Sequence, residues 1–147
     1  MAKNQRFMPV PPQAVWAVLA DPPAYGYWVV GSKYIRDADE GFPAVGTKLH
    51  HTIGVGPITL NDHTEVLEAE PPRRLKLRAK GRPFGTASVE LVLEPGDDGT
   101  HVTIIEDPDQ GWTPLKYNPL VQVFTRVRNA ESLMRLEELA LRWEVPA

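Results

Sequence analysis

Three of the chain's four histidines fall in one stretch, LHHTIGVGPITLNDH from Leu49 to His63, with Asp62 beside the last of them. Imidazoles grouped this way serve as metal ligands or proton carriers, provided that their rings reach one space. Gly56 and Pro57 in the middle read as the central residues of a tight turn, so that Val55 faces Ile58 and the two flanks pair outward from there. One face then collects Val55, Ile58, Ile53, Leu60, His51, Asp62, Leu49 and Thr64, and is plainly the apolar one. The other collects Thr52, Asn61, His50, His63, Lys48 and Glu65. Neighbouring residues on a strand point to opposite sides, so His50 and His51 do not share a metal ion. His51 is expected inside, next to Asp62, where a carboxylate accepting one ring N–H leaves the other nitrogen for a ligand or a proton. The plainer alternative is that the pair satisfies two polar groups at a damp end of a core. His50 and His63 are expected on the solvated face, with no designed metal site.

Other residue types add less. In THVTIIEDPDQGW, alternation sets Val102, Ile104 and Glu106 on one side, so Glu106 at the strand end is a candidate acid or base, or else a solvated carboxylate. Trp112 in the following loop either lids a pocket or packs on the next helix. Tyr27, Trp28 and Phe124 are broad enough to hold a flat ligand, although large aromatics more often belong to a core. None of the serines Ser32, Ser88 and Ser132 lies in a G-x-S-x-G elbow, and GVG at Gly54–Gly56 lacks the strand-to-helix setting of a dinucleotide loop. Without cysteine there is no disulfide, thiolate nucleophile or cysteine-bound cluster. No cofactor is expected.

These side chains hang on elements that the pattern also outlines. A short strand, QRFMPV, leads into PPQAVWAVLAD, a helix with prolines in its first turn and Val15, Val18 and Leu19 on one face. PPAYGYWVVG reads as a brief helix or turn. Between Ser32 and Gln110, six alternating runs are separated by Gly56-Pro57, Pro71-Pro72, the Gly81 to Gly85 region and PGDDG, as in an antiparallel meander. The chain closes on a long helix with Asn118 as N-cap and Pro119 at its first position. Leu120, Val123, Phe124, Val127, Ala130, Met134 and Leu141 form a stripe on it, expected to pack on the sheet.

At 147 residues the chain suits one domain, 1–147, with a core large enough to enclose a cavity. Its net charge of −3, without a basic block, argues against nucleic acid as a partner. No leader-like or membrane-spanning apolar run is present, and stable membrane insertion is not expected. A cytoplasmic protein follows, as a monomer or a homodimer.

The order of helix, short helix, six-strand meander and long helix resembles the helix-grip fold of the START, Bet v 1 and polyketide cyclase superfamily. VPPQAVWAVLADPPAYGYW resembles that superfamily's opening, AVGTKL its glycine-led third strand, EVLEAEPPRRLKLR a junction between strands, and GTHVTIIED its penultimate strand. The resemblance implies an α+β fold in which a curved antiparallel sheet of about seven strands wraps around the C-terminal helix, with two short helices after the first strand. It implies an apolar cavity and a hydrophobic small-molecule ligand, bordered by Tyr27, Trp28, His51, Ile53, Leu60, Trp112, Phe124 and Val127. It supplies no universal catalytic residue. A binding protein, a cyclase or dehydratase using His51 with Asp62 and Glu106, and a toxin-like or protein-interaction module all remain open.

Overall fold

The computed structural model describes residues 2–30, 32–55, 57–81, 85–110 and 118–143. Strand β1 (Ala2–Met8) leads to helix α1 (Pro12–Leu19), whose first turn opens on proline as the pattern requires. A single 3-10 turn (Pro22–Ala24) and the one-turn helix α2 (Tyr25–Trp28) follow. Six strands come next: β2 (Ser32–Ala38), β3 (Lys48–Val55), β4 (Ile58–Glu70), β5 (Arg74–Gly81), β6 (Gly85–Pro95) and β7 (Thr100–Gln110). Helix α3 (Pro119–Leu141) closes the order, and the Asn118 side chain accepts a hydrogen bond from Leu120 N at 2.8 Å, making the cap expected of it.

All seven strands form one antiparallel sheet in the order β1-β7-β6-β5-β4-β3-β2, so the meander runs unbroken and β1 returns to pair with the last strand. The concave face is built in rows across the register. Ala2, Glu106, Val89, Leu77 and Val66 make one row, and Asn4, Ile104, Leu91, Leu75 and Ala69 the next. Their alternation is the reason for the apolar-in, polar-out spacing of each strand. The tight link between β6 and β7 passes over the end of β1, where a methyl group on Gly99 would overlap the carbonyl oxygen of Met8.

Helix α1 buries Ala14, Val15, Val18 and Leu19, as its spacing predicts. Helix α3 does not present the face expected of it. It packs on β1, β7, α1 and α2 through Asn129, Ser132, Leu133, Leu136 and Ala140. Leu120, Val123, Phe124, Val127, Met134 and Leu141 remain exposed. The physical reason is that α3 is apolar on two faces, and the face with Leu133 and Leu136 is the one that meets the core cluster of Val15, Leu19, Trp28 and Leu91.

Candidate functional site

The β3–β4 hairpin has the register deduced from a tight turn at Gly56-Pro57. Val55 faces Ile58, His51 faces Asp62, His50 faces His63 and Leu49 faces Thr64. Gly56 itself lies outside the described residues. His51 is 7% exposed and Asp62 5%, on the same side as buried Leu49, Thr64 and Val66. His51 Nε2 lies 2.9 Å from Thr64 Oγ1, a diagonal neighbour across the strand pair. Asp62 Oδ1 accepts a hydrogen bond from His63 N at 3.0 Å. An imidazole is thus held beside a hydroxyl and opposite a carboxylate, inside an otherwise apolar surface. Such a ring can orient a polar group or move a proton. Ile53 and Leu60 pair with each other one step nearer the turn. Their side chains lie outside what is described.

On the convex side the His50 and His63 rings stand 6.3 Å apart, and His50 Nε2 lies 3.3 Å from Asp39 Oδ1. That hydrogen bond, with a second from the Lys48 amide, holds the Asp39 carboxyl below its ordinary range. Partial burial pushes the His63 imidazole down, helped by the charges of Lys80 and Lys48. Among the described residues no three histidine, aspartate or glutamate side chains are grouped to hold a metal ion. Thr52 is a departure: it lies on this outer face and is nevertheless buried.

Glu106 does not join His51. It points inward, as alternation has it, but from β7, three strand steps or roughly 14 Å across the sheet from β4, where it is level with Val66 and not with Asp62, four residues further along that strand. Both of its oxygens are taken by Arg128 Nη2, at 2.6 and 2.5 Å, which makes it a strut between the sheet and α3. Trp28 lies in the core, its ring 5.0 Å from that of Tyr25. The Tyr25 hydroxyl donates to Leu19 O at 2.7 Å, and burial pushes it far above the ordinary tyrosine range. Tyr27 is turned outward instead. Its hydroxyl binds Glu138, and the Arg135 guanidinium sits 5.8 Å over its ring, so its polar end fastens α2 to α3. Trp112 lies outside the described residues.

Phe124 and Val127 sit with Leu120 on one lane of α3, at spacings of four and three residues, and Phe124 is 67% exposed. About three turns further on, the same lane carries Glu138, which meets Tyr27 of α2. The lane is therefore the α2-facing side of the helix, uncovered along its first half among the described residues. Sequence reasoning missed three polar residues: Thr64, the partner of His51, and Asn129 and Ser132 on the buried face of α3. Alternation from the Gly56-Pro57 turn already put Thr64 inside. Nothing in the helical pattern marks Asn129.

A seven-stranded antiparallel sheet closed by two short helices and a long C-terminal one is the START/Bet v 1-like helix-grip fold, the architecture that the residue motifs resembled. Among solved structures, the chain is similar to Ara h 8.0201, with TM-score 0.74 and 16% identity over 95% of both chains. It is also similar to protein MLL2253 from Mesorhizobium loti, with TM-score 0.71 and 19% identity over 98% of both. DynU16, a protein in the dynemicin biosynthetic locus, matches with TM-score 0.70 and 17% identity over 96% of this chain and 47% of its own. No curated protein sequence matches the chain. Residues 2–140 match the family described as polyketide cyclase / dehydrase and lipid transport, and the chain belongs to that family.

Proposed function

We propose that this chain, as a single domain in the cytosol, binds an apolar or aromatic small molecule between the α2-facing side of α3 and the β2–β4 end of the concave sheet. Carriage or sequestration of that molecule is the function. The observation that carries the reading is the exposed apolar lane Leu120, Phe124 and Val127, on the side of α3 away from the face with Leu133 and Leu136 that the core already covers. A ligand lying along it removes that surface from water, while His51, Asp62 and Thr64 supply a few polar marks that fix orientation. The family's description, which includes lipid transport, agrees with a hydrophobic ligand. Among the described residues no helix is long and apolar enough to cross a membrane.

Native mass spectrometry of protein purified from its own host tests this. A retained apolar compound at one copy per chain is the expected result. Failure to retain any compound, together with failure to take up an apolar fluorescent dye, overturns it. A second reading, a cyclase or dehydratase, draws on buried His51 beside Thr64 and opposite Asp62, which would exchange a proton with the bound molecule. His51→Ala separates the two: it spares dye affinity in both, and abolishes conversion of the retained compound only if the protein is an enzyme.

A further inference from the structure

The outward face of α3 carries a second apolar lane, beside the one assigned to the ligand. Val123, Ala130, Met134 and Leu141 are exposed, the three larger side chains by 57%, 39% and 53%. At 3.6 residues per turn they lie within about 40° of one another, and roughly 60° round the helix from the centre of the lane of Leu120, Phe124 and Val127. What α3 touches fixes the borders of this face. On one side Arg126 O accepts a hydrogen bond from Asn4 Nδ2 at 3.0 Å and Glu137 pairs with Arg6 at 3.0 Å, both from β1. On the other, Glu138 meets Tyr27 of α2. The core lies behind, against Leu133 and Leu136. The second lane therefore points away from the domain, and an apolar row of this length left in water marks an interaction surface.

Val123, Val127, Ala130, Met134 and Leu141 keep the alternating four- and three-residue spacing of a coiled-coil seam, with Val127 at the border of the two lanes. Glu137 holds the remaining seam position, and Arg6 draws its carboxylate off toward β1. Such a row is self-complementary, because a second copy offers the same row in return. Its flanks carry opposite charges: exposed Arg126 on the β1 side, Glu131 and Glu138 on the α2 side. When two copies lie parallel, each flank meets the opposite flank of the other. Arg126 then comes level with Glu131 of the second copy, five residues further on, twice by symmetry. These carboxylates and a net charge of −3 suit a second copy better than an anionic membrane. From Val123 to Leu141 the seam is about 27 Å long and about 11 Å wide, or on the order of 300 Å² per copy, against about 800 Å² buried per partner in a stable complex. We infer that the chain forms a reversible parallel homodimer through this face of α3, with a dissociation constant of about 10–100 µM.

Sedimentation velocity between about 1 µM and about 1 mM tests this, and the average mass should rise from about one chain to about two across that range. Met134→Glu puts a charge in the middle of the seam and should weaken the association at least about tenfold. Its melting temperature, read at about 1 µM where the parent is monomeric, and its affinity for an apolar dye should match those of the parent. Because the chain has no cysteine, Val123→Cys supplies a single thiol. Parallel packing sets that thiol against its counterpart, so oxidation with diamide should give a disulfide-linked dimer at about 100 µM. A crosslink that forms only when Val123→Cys is mixed with Leu141→Cys overturns the parallel arrangement. A mass of one chain at the highest concentration, or association unchanged in Met134→Glu, overturns the inference. So does capture of the parent by phosphatidylglycerol vesicles without self-association. If Met134→Glu does not fold, the parent's concentration series and the Val123→Cys crosslink decide.

Discussion

Phe124→Ala separates a residue that holds the fold from one that holds a ligand. The ring is 67% exposed, so of the roughly 200 Å² an aromatic side chain presents, about 130 Å² is open to cover by a ligand. At about 25 cal/mol per Å² that area amounts to about 3 kcal/mol, or about two decades in affinity. The remaining third contributes at most about 1.5 kcal/mol to folding, and alanine's better helix propensity returns about 0.5 kcal/mol of it. The variant should therefore lose about 1 kcal/mol of stability while losing most of its affinity for an apolar dye. Leu136→Ala is the control: Leu136 is fully buried, and its truncation should cost about 3 kcal/mol of stability and little affinity beyond that. Denaturant unfolding and dye titration read the two effects separately. Phe124→Ala as destabilising as Leu136→Ala, or dye affinity unchanged in it, would refute the assignment of this lane to the ligand.

Thr64→Val keeps the shape of the side chain but removes the hydroxyl 2.9 Å from His51 Nε2, and should cost about 1–2 kcal/mol in denaturant unfolding; a variant as stable as the parent rejects the bond. Asn118→Ala removes the cap on Leu120 N and should cost about 1 kcal/mol, measured the same way. His63 is held below the ordinary histidine value of 6.5, mainly by burial, so below that pH the unfolded chain binds more protons than the folded one. Its contribution to stability is therefore complete above pH 6.5 and is lost as pH falls toward the lower folded value. His63→Gln should flatten this part of the melting-temperature profile, and an unaltered slope assigns the loss to other groups.

The strands and their breaks were legible because both are local. A Gly-Pro turn and a two-residue alternation set the β3–β4 register by counting, and with it the separation of His51 from His50. The same counting put Thr64 on the inner face, although its pairing with His51 comes from a diagonal contact rather than a direct one. Glu106 was correctly sided and wrongly grouped: alternation along β7 says which face it takes, but not that two strands intervene before Asp62 or that Arg128 reaches it from α3.

What the sequence determined by itself is the order of elements, the antiparallel meander, the helix cap and the hairpin register, all set by contacts a few residues apart. The tertiary structure alone decided which of two apolar faces of α3 meets the core, which left Phe124 and Val127 in the open and put Asn129 and Ser132 inside. Periodicity shows that a helix has an apolar face but not what lies opposite it. That depends on α1, α2 and β1, which reach α3 only through tertiary contacts, packing and polar bonds alike, made across nearly the whole length of the chain.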